Sequence, residues 1–254
     1  MLLPIVAVIV AIIIMSICLS KSIIVGDWTK QAFYQWGLNC WHIQAKDAKP
    51  RILLIDDDSG NGIFSIKQLC DELHIKATFA VVPVFTNKEI IDSLKCWQRS
   101  GFGISIHGYD HRDWRELSYE DVVTDIEKCE KWLQQNQFDM RNIRYIVSPH
   151  GANNRAIRKA IKDKGYQMVT GANLLNPDMK VFQLGRVMIT RNTDLEETNV
   201  WLKKAKEQNL FVILGTHASI PGEFSIEKTK AVLQMAIDLG FEYQQLLYPQ
   251  YGKK

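Results

Sequence analysis

The stretch 51-RILLIDDDSGNGIFSIKQLCDELHIKATFAVV-82 decides the fold. It opens with the apolar run Ile52–Ile55, too short for a helix and bounded by turn-forming residues, which reads as a buried strand. Residues 62–74 then carry Ile63, Ile66, Leu69, Cys70 and Leu73 at three- and four-residue spacing, the pattern of a helix with one buried face. A second apolar run, 77-ATFAVV-82, completes a strand–helix–strand unit.

The alternation continues along the chain. GISI at 103–106, YIV at 145–147, QMVT at 167–170, VMIT at 187–190 and FVILGT at 211–216 read as strands. Between them lie helix-length segments at 87–100, 118–136, 153–165 and 194–208, and another follows at 225–239. Ser118 with Asp121 three residues on resembles a capping box. Such alternation predicts one α/β domain over residues 51–245, a parallel sheet covered by helices, either open or closed into a barrel.

In such folds chemistry sits in the loops after the strands. Here Asp56, Asp57 and Asp58 follow the first run. His107 and His111 follow GISI within 104-ISIHGYDHRDW-114, 148-SPHGANN-154 follows YIV, and His217 ends FVILGT. Three consecutive aspartates repel one another unless they are solvated, hydrogen-bonded or balanced by a cation. With two histidines from another strand end they supply a one-carboxylate, two-histidine metal site with positions left open for water and substrate. Those donors suit zinc, cobalt or another borderline divalent ion such as nickel or manganese and do not by themselves choose among them, zinc being the expected occupant.

Composition narrows the rest. A net charge of +3 and the lack of a Lys/Arg block argue against a nucleic-acid partner. Residues 1–20 contain no charged side chain and predict an N-terminal membrane anchor with the following domain exported, periplasmic or extracellular. Cleavage after Ser20 would instead give a secreted domain. Residues 21–50 read as a lead-in and 246–254 as a tail. The cysteines form no CxxC pair, and Cys70, Cys96 and Cys129 read as core thiols.

Several of these segments resemble the NodB-type polysaccharide deacetylases, carbohydrate esterase family 4. LLIDDDSG is similar to the family's TFDDG motif, HGYDH to its HxxxH, and 75-IKATFAVVP-83 to its TfFv strand. The run 111-HRDWRELSYED-121 resembles the family's continuation of that second motif; 145-YIVSPHGANN-154 and 212-VILGTHA-218 resemble two later motifs. The resemblance implies a distorted (β/α) barrel with its active site at the carboxyl ends of the strands. It implies metal-dependent removal of N-acetyl groups from an N-acetylglucosamine-containing polysaccharide, releasing acetate. Carried over by motif, Asp56 is the base, Asp57, His107 and His111 hold the metal, and His217 is the general acid. A one-residue shift, to Asp57 and Asp58, stays open.

The departures matter. Val147 stands where the family often has an arginine that orients the base, and His150 replaces a tyrosine. Pro149 and Gly151 are expected to shape the groove wall, with His150 as a substrate contact, an extra polar ligand or a groove residue. No aspartate follows 164-KGYQMVTGAN-173 to support His217. Tyr109 and Trp114 are candidates to stack on sugar rings, or packing residues. The eroded third and fourth motifs leave a non-catalytic glycan-binding scaffold as one alternative, and a deacylase of another carbohydrate ester or amide, using the same site, is a second.

Overall fold

The computed structural model describes residues 50–171, 175–176 and 182–243. The predicted anchor, the lead-in up to residue 49 and the tail from 246 lie outside the described residues, as do Cys18 and Cys40. Among the described residues no helix is long and apolar enough to cross a membrane.

The first strand, β1 (Arg51–Asp56), leads into α1 (Ile63–Glu72) and β2 (Ala77–Val81). Then come α2 (Lys88–Arg99), β3 (Gly103–Ile106), α3 (Tyr119–Gln135), β4 (Tyr145–Val147), α4 (Arg155–Asp163) and β5 (Gln167–Thr170). Two short strands follow, β6 (Gln183–Gly185) and β7 (Val187–Met188), then α5 (Leu195–Glu207), β8 (Phe211–Thr216), α6 (Ile226–Asp238) and β9 (Glu242–Tyr243). Each predicted helix is present to within two residues at either end. Five of the six starts are capped by side chains, all but that of α1: Asn87, Ser118, Asn154, Asp194 and Ser225 each accept a backbone N–H of the first turn.

The strands are parallel, in the order β6-β5-β4-β3-β2-β1-β8-β7, with β9 beside β1. The two ends of that order, β6 and β7, are separated in the chain by Arg186 alone. One extended segment therefore pairs with β5 through its first half and with β8 through its second, and the sheet curls into a nearly closed barrel. Sequence periodicity pointed to VMIT at 187–190 as one strand. Only Val187 and Met188 pair, and the unforeseen QLG at 183–185 forms the other half of the seam.

Strand alternation divides the core in two. Ile52 and Leu54 of β1, with Ile104 and Ile106 of β3 and Val212 and Leu214 of β8, pack in the layer between sheet and helices. Leu53 and Ile55, with Ala80, Tyr145, Val147, Val169, Leu184, Phe211 and Ile213, fill the barrel interior. Cys70 and Cys129 are buried as expected, but Cys96 is exposed because it lies off the face of α2 that buries Ile90 and Leu94.

Candidate active site

The same alternation sorts the candidate residues. Asp57 continues the parity of Leu53 and Ile55, Arg186 that of Leu184, and His217 that of Phe211 and Ile213, all interior positions. His107 continues the parity opposite to Ile104 and Ile106, again the interior. Asp56 shares the parity of Ile52 and Leu54 and so belongs to the helix side of the sheet.

Three donors meet at the carboxyl ends of β1 and β3. His107 Nε2 lies 3.2 Å from His111 Nε2, while Asp58 Oδ1 lies 3.5 Å from the first and 3.3 Å from the second. Tetrahedral donors on a divalent ion at about 2.0–2.1 Å stand roughly 3.3–3.4 Å apart, so this triangle fits one face of such a site. The buried Asp58 Oδ1 has no hydrogen-bond partner, which leaves it open to a cation. His107 Nδ1 donates to the Val147 carbonyl at 2.8 Å, fixing the tautomer that leaves Nε2 free to ligate. Burial, helped by neighbouring His107, lowers the His111 pKa to about 4, keeping it neutral and competent as a ligand near pH 7. The carboxylate grouped with the two histidines is thus Asp58, one residue beyond the position carried over by motif.

Backbone strain concentrates here. Asp58 (φ 72°), Ser59 (φ 51°), His111 (φ 59°) and His150 (φ 54°) all adopt the left-handed conformation. Ser59 Oγ helps to hold the turn by donating to Ala80 O at 2.9 Å. His150 lies outside the triangle; its Nε2 is 3.0 Å from the His111 carbonyl and its ring 4.4 Å from that of His111.

Asp57 lies beside the triangle and is fully buried. Its Oδ2 accepts from Arg186 Nη1 at 2.5 Å and lies 3.5 Å from His107 Nε2 and 3.4 Å from His217 Nε2. Burial opposes ionisation, but the Arg186 guanidinium, His107 and His217 outweigh it and hold the carboxyl well below the usual range. Arg186 is itself buried. Its side chain passes Gly215, where a Cβ would lie 3.2 Å from Arg186 Cδ and closer still to Met188 Sδ. His217 Nδ1 lies 2.9 Å from Glu223 Oε2. Burial works against its charged form, yet Asp57 and Glu223 raise its pKa to about 9.

Asp56 is also fully buried, and its Oδ1 accepts from Thr216 Oγ1 at 2.7 Å and Ala218 N at 3.0 Å. Burial, only partly offset by those bonds, raises its pKa to about 7. Trp114 is fully buried, its indole donating to Asp125 Oδ2 at 3.1 Å, and so offers no face to a sugar. Tyr109 is half-buried, and its backbone N–H donates to the same oxygen at 3.0 Å. Pro149 is buried against the histidine loop: a Cβ on Gly108 would lie 2.7 Å from its Cγ. Gly151 packs on Gly171.

Three residues were not singled out from sequence: Arg186, Glu223 and Phe85. Arg186, between β6 and β7, supplies a guanidinium that the family often places at the position of Val147, and its signal was a lone cation inside the apolar run 184-LGRVMI-189. Glu223 lies on a turn and carries no pattern. Phe85 follows β2 on the 3-10 turn Pro83–Phe85, is 47% exposed, and its ring lies 6.0 Å from that of His111.

Residues 44–169 match the family model described as polysaccharide deacetylase. No curated protein sequence matches the chain significantly. Among solved structures, the chitin deacetylase of the fungus Colletotrichum lindemuthianum superposes with a TM-score of 0.61 at 16% identity, covering 82% of this chain and 92% of that one. The family 4 acetyl xylan esterase from Clostridium thermocellum, in complex with cobalt, gives 0.57 at 15% identity, covering 76% and 86%. A pseudoenzyme of carbohydrate esterase family 4 from Bacillus anthracis gives 0.51 at 14% identity, covering 77% and 63%. The barrel expected from the sequence is the barrel these structures share, and the chain carries a polysaccharide deacetylase domain of the NodB type.

Proposed function

We propose that this chain removes N-acetyl groups from an N-acetylglucosamine-containing polysaccharide of the cell wall or extracellular matrix, with Asp58, His107 and His111 holding a divalent ion. Its family consists of hydrolases acting on amide and ester bonds of carbohydrates. The observation that carries the reading is the donor triangle with Asp57 and His217 beside it, on the interior side of the sheet. When bound, a divalent ion supplies Lewis acidity to an acyl carbonyl and makes a nearby water more acidic. Zinc is the proposed occupant because the triangle has tetrahedral spacing.

In this reading the roles sit one residue along from the motif assignment. Asp57, kept anionic by Arg186, takes the proton of the attacking water. His217 is cationic near neutral pH and delivers a proton from Nε2 to the leaving nitrogen. The C–N bond breaks with its electron pair on that nitrogen, and acetate and a free amine leave. Glu223 holds the imidazolium from the far side. Phe85 offers an exposed apolar face for the C–H side of a pyranose beside the site. Export on the apolar segment 1–20 is part of the proposal, since the substrate lies outside the cell.

The test is acetate release from N-acetylglucosamine oligomers by the purified chain, with and without chelator. Release should vanish with chelator, return with zinc, and fall at least ~100-fold in Asp57→Asn and His107→Ala. Phe85→Ala should raise KM several-fold at nearly constant kcat. Release unaffected by chelation overturns the metal assignment. Metal and oligosaccharide binding without release of acetate supports the scaffold reading instead, while release from acetylated xylan alone supports the ester deacylase.

A further inference from the structure

We infer that Asp56 is a positioning residue for His217, setting the place of the proton donor without touching substrate. The inference rests on the proposed role of His217. Asp56 lies on the helix side of the sheet, opposite in parity to Asp57, so the β1 strand itself separates its carboxylate from the barrel interior. One oxygen of that carboxylate grips both neighbours of His217: Oδ1 accepts from Thr216 Oγ1 at 2.7 Å and from Ala218 N at 3.0 Å. The main chain repeats the link, since Asp57 N donates to Thr216 O at 2.9 Å and Asp56 pairs with Thr216 in the β1–β8 register.

The same loop is held a second time by the turn after β1. Gly62 N donates to Ser219 Oγ at 3.1 Å, and a Cβ on Gly62 would collide with the Ala218 backbone. Residues 216–219 are therefore fixed through β1 and the turn that follows it, the same segment that carries Asp57 and Asp58. The base and the donor lie 3.4 Å apart because one carboxylate, one residue before the base, holds the donor's backbone. A buried acidic side chain at this position is costly unless it is hydrogen-bonded, and its two bonds both serve this loop.

A donor matters only when the leaving group needs a proton. The full metal-loaded chain is compared on an N-acetylglucosamine oligomer, whose amine must be protonated to leave, and on 4-nitrophenyl acetate, whose phenolate leaves unprotonated. Asp56→Ala should lower kcat on the amide by ~100-fold, the scale of a lost general acid, while changing aryl-ester turnover by less than ~3-fold. Asp56→Asn keeps an acceptor oxygen and should restore amide turnover to within ~5-fold of the parent. Thr216→Val, nearly isosteric, removes one of the two bonds and should lower amide kcat alone by several-fold, which keeps the test decisive if Asp56→Ala fails to fold. Equal losses on both substrates, no loss on the amide, or no recovery in Asp56→Asn overturns the inference. A parent chain that hydrolyses neither substrate overturns the hydrolase reading instead.

Discussion

Asp57 and Arg186 form the most consequential pair in the molecule because neither reaches solvent. Their side chains are 0% and 4% exposed, so removing the cation strands a buried negative charge. Arg186→Met should cost about 3–5 kcal/mol of stability, the usual penalty for breaking a buried pair, and should lower kcat by at least ~100-fold. Urea denaturation and steady-state kinetics check the two together. His217 sets a pH dependence whose sign follows from its raised pKa. The folded chain holds that proton up to about pH 9, whereas an unfolded histidine releases it near 6.5. The contribution is complete below about pH 6.5 and is lost as pH rises through about 9, so the urea midpoint of metal-free protein should fall across that window. Substituting His217→Gln should flatten the decline. The sequence concealed which aspartate does what because three identical side chains in a row carry no label. Parity with Leu53 and Ile55 separates Asp57 from Asp56, but only once the strand is known to have one face inside a barrel. The left-handed turn at Asp58, which breaks the alternation and swings its carboxylate toward the histidines, has no signature in an aspartate run.

The histidine loop depends on a neighbouring helix. Ser118 caps α3 through the Asp121 N–H, and one turn further along, the buried Asp125 accepts both the Tyr109 backbone N–H and the Trp114 indole. Both donors belong to the segment from His107 to Trp114, so Asp125 anchors the loop that carries two of the three proposed metal donors. Groups that orient metal ligands typically contribute 10–100-fold in affinity. Asp125→Ala should weaken zinc binding by that factor, measured by competition titration, while the far-ultraviolet circular dichroism stays that of the parent. At this scale the sequence was informative. The long helices announced themselves through apolar spacing and side-chain caps, because both are local. Trp114 was harder: an aromatic in a loop reads alike whether it packs on a carboxylate or faces a sugar, and only its burial separates the two. Three-residue strands such as β6 carry too few side chains to show a period.

For the whole molecule, parallel strands alternating with helices were legible from residue 51 onward and the barrel followed from the family resemblance, whereas periodicity alone allowed an open sheet and did not mark the seam. Closure depends on one segment changing partners from β5 to β8, and nothing in 183-QLGRVM-188 marks the residue at which it does so. That residue is Arg186. The stitch that joins the two margins of the sheet is therefore also the tether of the guanidinium, so mechanical integrity and proton affinity at Asp57 share one peptide unit. Cutting there separates them. A circular permutant with new ends between Gly185 and Arg186, and the original ends linked, should keep its helical spectrum but lose turnover by at least ~10-fold, because a loose end no longer aims the cation. Equal activity in the permutant would mean that the guanidinium finds Asp57 without help from the seam. Breathing of this margin would detune the chemistry before it loosened the core.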